Sequence, residues 1–384
     1  MKKTKYCMQN ILHTIASLIP KKQRFVLRGF PDYEDNLLAM YEELTSMQKK
    51  DVVWVVDDTE IKPPMDFSEQ TKVVKRGSLG DLYYSFTSRY LFITHGHFLT
   101  SAPKNQVCVN LWHGIPFKQV GITQGMEKRN DTHLTCTSAF TKKIFHESFE
   151  MPEEKIHITG QPRTDRMMRA NKDEIINRLF CDKKAPDFIF IWLPTYRQTN
   201  YLNGKLDGRD LGNIFNCSDF SLIEFNAMLQ KHNAFCLVKP HPMAAPPEGG
   251  NESNIFFIDE KWLANRKTSL YQLIGTADCL ISDISSVIAD FMLLDKPIVL
   301  LFEDIDEYKN NRGFSFNPIT DFLPAEVTKN FEEFTLEVQK ILDGKDTHKD
   351  RRERIKTLFF DYFDEYSAKR VLDIALAKND ALKH

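Results

Sequence analysis

VCVNLWHGIPFK, residues 107–118, runs from an apolar strand pattern straight into a histidine, after which Gly114 and Pro116 break regular structure. A strand ending at Trp112 that delivers His113 to a loop describes the edge of a parallel sheet. In open α/β sheets, ligands bind in the loops beyond the carboxyl ends of the strands. The same arrangement recurs in both directions along the chain. Short runs rich in Val, Ile and Phe at 52–56, 90–94, 188–192, 235–238, 279–282 and 298–302 are separated by helix-sized segments. The predicted class is α/β, with parallel strands and crossover helices.

The 384 residues exceed one ordinary domain and suit two. A seam follows the polar stretch 171–179, where CDKKAPD precedes a fresh buried strand. It divides the chain into lobes at 25–178 and 179–345, with an amphipathic tail at 346–384. A 42% hydrophobic and 27% charged composition excludes disordered, collagenous and simple bundle classes. A formal charge of −2 argues against bulk nucleic acid as the main partner. Seven scattered cysteines, an odd number with no CxxC pair, point to reduced thiols and the cytosol.

No run of about 18 apolar residues is present to cross a bilayer. The first 24 residues are nonetheless amphipathic. Lys2, Lys3, Lys5, Lys21, Lys22 and Arg24 flank Ile11, Leu12, Ile15, Leu18 and Ile19, which share one helical face. Two readings fit: a helix lying on an anionic membrane, or a first helix packed on its own lobe.

Several further pieces carry chemistry. His113 is placed to act as a general base at neutral pH, although a lone loop histidine is also compatible with a structural role. In LVKPHP, 237–242, Lys239 and His241 can meet a phosphate, and a proline-stiffened surface loop fits the same residues. In ADCLISDISSVIADF, 277–291, Ser282, Asp283, Ser285 and Ser286 sit where a strand gives way to a helix. Hydroxyls and free amides there suit a pyrophosphate, and ordinary N-capping requires no ligand. Asp290, one turn on, is positioned to accept hydrogen bonds from a ribose. LPTYR offers Thr195 and Arg197, GQPRTD offers Arg163, and YKNNRGF offers Lys309 and Arg312. Each cation can pair with phosphate or remain a surface charge.

Taken in order and spacing, WHGIPFK, GQPRTD, LPTYR, KPHP and SDISSVIADF followed by DKPIVLLFEDIDEYKNNRGF resemble the CDP-glycerol glycerophosphotransferases of teichoic acid and capsule synthesis. RGFPDYEDN, 28–36, looks like that family's opening segment. The resemblance implies a GT-B fold of two Rossmann-like lobes around a central cleft. It places the acceptor, a glycan or lipid-linked molecule, on the first lobe, with Gly114, Lys118 and Arg163 on that side. The CDP-glycerol or CDP-ribitol donor falls on the second lobe. The last helices would cross back to the first lobe, and the work would be done at an anionic membrane surface.

The implied reaction is in-line displacement at the donor's β-phosphorus, with His113 taking the acceptor proton and CMP leaving. His241, Arg197, Ser285 and Ser286 would meet the pyrophosphate charge and Asp290 the ribose. Neither cofactor nor catalytic metal is expected, since Asp57 and Asp58 read as a turn rather than a metal-binding pair. The alternatives are a GT-B sugar transferase using a nucleotide sugar and a noncatalytic lobe that binds phosphorylated glycans.

Overall fold

In the computed structural model, strands form wherever an apolar run is too short for a helix and is buried on both sides. The structure describes residues 2–377, by backbone alone for 2–8 and 123, apart from 97, 98, 100, 127–130, 182, 183, 196, 198–206, 210, 212, 214 and 241–251. The strands of the first lobe are β1 (Lys22–Arg28), β2 (Val52–Val56), β3 (Lys72–Lys75), β4 (Ser88–Ile93), β5 (Val107–Asn110), β6 (His133–Cys136) and β7 (Ile156–Ile158). They pair in the order β3-β2-β1-β4-β5-β6-β7, every pair parallel.

The second lobe contains β8 (Phe188–Trp192), β9 (Ala234–Val238), β10 (Ile255–Phe257), β11 (Cys279–Ser282), β12 (Ile298–Leu301) and β13 (Val327–Thr328). Their order is β10-β9-β8-β11-β12-β13, again all parallel. Each sheet therefore reverses its winding once, between β1 and β4 and between β8 and β11. Such switch points open a crevice at the carboxyl edge. The motifs singled out in the sequence follow β5, β8, β9 and β11, at or beside these points.

Each lobe has its own core. Leu37, Leu38, Met40 and Leu44 of the helix Asp35–Ser46 cover the first sheet together with Val371, Leu372 and Ala375 of the last helix, Ser367–Ala377. The helix Lys349–Phe359 instead adds Ile355 and Phe359 to the core under the second sheet. The chain thus returns to the first lobe between residues 359 and 367. There Asp165 of GQPRTD accepts the Ser367 and Ala368 amides at 3.0 and 2.8 Å, so a distant carboxylate caps the final helix. The seam also lies slightly earlier than the composition shift. The helix Lys172–Leu179 packs Ile175, Ile176 and Leu179 into the second-lobe core.

The N-terminal helix, Lys2–Leu18, ends before β1, which begins at Lys22 and so takes in the last residues of the 1–24 segment. One side of it packs: Leu12, Ala16 and Ile19 meet Phe86 and Leu99. Ile11, Ile15 and Leu18 point the other way and are 56%, 46% and 80% exposed. No described helix is long and apolar enough to cross a membrane.

Candidate active site

The strand β5 delivers His113 through a strained turn. Trp112 has φ 57°, a left-handed value unfavourable for so bulky a residue. Two features hold it. Its amide donates to Asn110 Oδ1 at 2.9 Å, with Asn110 tied to Asp131 at 2.8 Å, and its indole packs edge-on against Phe145 and Phe149. His113 emerges exposed at the carboxyl edge. Its Nδ1 lies 3.3 Å from the Thr94 carbonyl. Because a carbonyl only accepts, Nδ1 is the donor here, and in the neutral ring Nε2 is the nitrogen left to accept a proton.

The lobes close on this point. The His113 carbonyl accepts Arg163 Nη1 at 2.9 Å and Ser286 Oγ of the second lobe at 3.4 Å. Gly114 leaves room for that approach: a Cβ here would lie 2.4 Å from Ser286 Oγ and 2.6 Å from Arg163 Nη2, and φ is +129°. Beyond it the loop crosses into the second lobe, where Ile115 and Phe117 join the core. Phe117 accepts the Ser315 amide at 2.9 Å, Gln119 donates to the Gly313 carbonyl at 3.1 Å, and Lys118 bridges to Phe314. WHGIPFK and YKNNRGF, far apart in sequence, are thus stitched together.

Lys118, expected with Gly114 and Arg163 on the first lobe, is thus carried by a loop that packs on the second lobe. Its ammonium lies 5.9 Å from the Tyr308 ring centroid. Burial lowers its pKa to about 8, against the pull of Asp283 and Asp207, while Arg197 and Arg312 push it further down.

Asp283 is the hub of the second-lobe loops. It accepts Thr195 Oγ1 at 2.6 Å, Arg197 Nη1 at 2.7 Å and the Ile284 amide at 2.6 Å. Burial opposes its charge, but Arg197, Thr195 and Lys118 outweigh burial and leave its pKa below the usual carboxylate range. Arg197 also makes a two-pronged pair with Asp304, at 2.9 Å on each prong. With its charge matched by two buried carboxylates, Arg197 shapes the loops rather than presenting a free cation. Arg312 lies 3.8 Å from Asp207. Ser282 is fully buried and donates to the Leu193 carbonyl at 3.2 Å, and Lys239 pairs with Glu260 at 2.8 Å. Ser285 and Ser286 are half-exposed, and Ser286 reaches the first lobe through the His113 carbonyl. His241 lies outside the described residues.

Asp290 and Arg163, expected on the donor ribose and the acceptor, bind each other at 2.6 Å. Tyr271 donates to the same Asp290 oxygen at 2.6 Å. RGFPDYEDN joins this junction. Asn36 accepts the Arg163 amide at 3.1 Å, and Asp35 accepts Arg166 Nε at 3.1 Å together with the Ser269 hydroxyl. Glu34 accepts the Asn36 and Leu37 amides. Burial lifts its pKa to about 7, the two amides and Arg163 restraining the rise and Asp35 adding to it.

Sequence reasoning missed Thr94, His95, Glu34, Tyr271 and Asp304. Thr94 and His95 follow an apolar run in the same way as His113, so that position was the available signal. Glu34 and Asp304 lie within RGFPDYEDN and DKPIVLLFEDIDEYKNNRGF, whereas Tyr271 carries no such mark.

A cavity of about 320 Å³ lined by Tyr41, Lys50, Val52 and Thr71 lies at the amino end of β2, away from these groups and opposite the edge that binds ligands in such sheets. Among the described residues, Cys217, Asp219 and Glu303 lie close enough to hold a metal ion. Asp219 Oδ1 accepts the Phe331 amide, and the two Glu303 oxygens accept the Ser218 amide and Arg209, so these carboxylates brace local loops.

Two doubly wound lobes whose carboxyl edges meet at His113 and Ser286 define a GT-B type fold. The chain belongs to the CDP-glycerol:poly(glycerophosphate) glycerophosphotransferase family, whose model matches residues 10–376. It is 25% identical over 340 residues to the teichoic acid poly(ribitol-phosphate) polymerase of Bacillus spizizenii, covering 80% of this chain and 50% of that one. With the poly(glycerol phosphate) polymerase of the same organism it shares 26% over 349 residues, covering 80% and 81%. With the teichoic acid glycerol-phosphate primase of Bacillus subtilis it shares 26% over 278 residues, covering 67% of each. The chain thus spans between half and four-fifths of these relatives. The solved wall teichoic acid polymerase TagF superposes with a TM-score of 0.77 at 19% identity, covering 98% of this chain and 95% of that one.

Proposed function

We propose that the chain transfers glycerol phosphate, or another polyol phosphate, from a CDP-activated donor to a glycan or lipid-linked acceptor in teichoic acid or related capsule synthesis. One observation carries the reading: a histidine whose Nδ1 meets the Thr94 carbonyl sits at the carboxyl edge of one lobe, with its own backbone carbonyl against the Ser286 hydroxyl of the other. His113 Nε2 accepts the proton of the acceptor hydroxyl as its oxygen attacks the donor's β-phosphorus. The bond from that phosphorus to the bridging oxygen breaks, and CMP departs with the electron pair. Ser285, Ser286, Lys118 and His241 meet the diphosphate charge. Asp283, held by Thr195 and Arg197, fixes the serine loop. Asp290 and Arg163 fix the closure of the lobes rather than touching ribose or acceptor.

The exposed Ile11, Ile15 and Leu18 support binding at an anionic membrane, on the inner face where thiols stay reduced. The test is incubation with CDP-glycerol, CDP-ribitol and nucleotide sugars together with primed lipid acceptors, following CMP and product mass. CMP release coupled to polyol-phosphate addition supports the reading. Transfer from a nucleotide sugar alone, or ligand binding with no CMP release, overturns it.

A further inference from the structure

His113 shares its place at the sheet edge with a second imidazole. The strands β4 and β5 are neighbours, Ile93 pairing with Asn110, so the residues that follow them emerge side by side. The His95 ring lies parallel to the His113 ring, with centroids 4.6 Å apart and planes within 5°. Thr94 holds both. Its carbonyl is 3.3 Å from His113 Nδ1 and its hydroxyl 3.0 Å from His95 Nδ1. Phe30 abuts His95 edge-on at 5.8 Å, and Trp112 stacks on His113 at 4.2 Å. Among the described residues, Arg163 donates to the His113 carbonyl, and Glu34 lies with Thr94 beside Gly29.

An exposed histidine on a loop rotates freely about two side-chain bonds and spends little time aimed at a substrate. Here a hydrogen bond fixes one edge of the ring and stacking fixes its plane, which leaves Nε2 with one direction. We propose that His95 is a positioning residue for the transfer, holding the His113 imidazole in its working orientation by parallel stacking. The proposal rests on His113 acting as the base.

The test compares His95→Ala, His95→Phe, His113→Ala and the double variant His95→Ala/His113→Ala in the full chain. The donor is CDP-glycerol or CDP-ribitol, whichever supports CMP release by the wild type. His95→Ala is expected to lower kcat about 10- to 100-fold with donor KM within about twofold. His95→Phe, which keeps the stack, should recover to within about fivefold of the wild type. In the His113→Ala background, loss of His95 should add nothing, because a group acting through another has no effect once that other is gone.

Wild-type kcat in His95→Ala, or an equal further loss in the His113→Ala background, overturns this inference and leaves the base assignment standing. If His113→Ala alone keeps more than about a tenth of the rate, the base assignment fails, and the role of His95 falls with it.

Discussion

Arg163 and Asp290 lie 127 residues apart in sequence, one on each lobe, and form a buried ion pair at 2.6 Å with Tyr271 on the same carboxylate. The pair joins GQPRTD to SDISSVIADF and places the His113 carbonyl against Ser286. Replacing Arg163 by Met strands a carboxylate with no access to water. Breaking such a pair from one side costs about 3–5 kcal/mol. Urea denaturation should show that loss, and Asp290→Asn should cost less in the Arg163→Met background than alone.

Gly114 is predicted to tolerate no side chain. A methyl group there meets Ser286 Oγ at 2.4 Å and Arg163 Nη2 at 2.6 Å, with the backbone at φ +129°. Gly114→Ala should shift the lobes by a fraction of an ångström to an ångström and lower transfer about 100-fold. Gly114→Ala/Ser286→Gly relieves half the clash but removes a serine proposed to meet the diphosphate, so it should recover part of the lost thermal stability and not the rate. An alanine variant with full activity would show that the lobes do not need this contact.

Arg197 separates Asp283 from Asp304, and the carboxylates are 8% and 0% exposed. Arg197→Met should destabilise the chain by about 3–5 kcal/mol. Arg197→Lys should recover little, since an ammonium cannot reproduce the two-pronged geometry. Thermal unfolding of both variants decides the matter.

Glu34 gives the stability a pH dependence of definite sign. Its pKa is about 7 in the folded chain against 4.5 as a free side chain, with burial the main cause. Below 4.5 both states hold the proton. Between there and about 7 the unfolded chain has released it while the folded chain retains it, so stability falls as pH rises through this window. Glu34→Gln should flatten the slope of Tm between those pH values. An unchanged slope would mean that the carboxyl titrates normally.

Ile11, Ile15 and Leu18 are exposed, so replacing all three by Ser should leave Tm within a few degrees. Sedimentation with vesicles of anionic lipid at low salt should then fall at least tenfold, while turnover of a soluble acceptor analogue persists. Equal sedimentation of the triple variant and the wild type would end the membrane reading.

The sequence by itself determined the class of the fold and the order of the parts. VVWVV, FIFIW and CLIS are too short for helices and too apolar to be exposed, so they could only be buried parallel strands, and His113 and Asp283 had to emerge at carboxyl edges. Local pattern carries that information because strand burial depends on each residue's own chemistry.

What a charged side chain faces depends on residues a hundred or more positions away, and only the tertiary structure decided it. Arg163 and Asp290 read alike as ligand-binding groups and proved to be each other's partners. Lys118 read as part of the first lobe, but Ile115 and Phe117 carry its loop into the second-lobe core. Only its place after an apolar run marks His95, whose ring is laid on His113 by the pairing of β4 with β5. The physical reason is range: hydrophobic periodicity is written along the chain, whereas charge pairing and ring stacking are settled by which strands become neighbours.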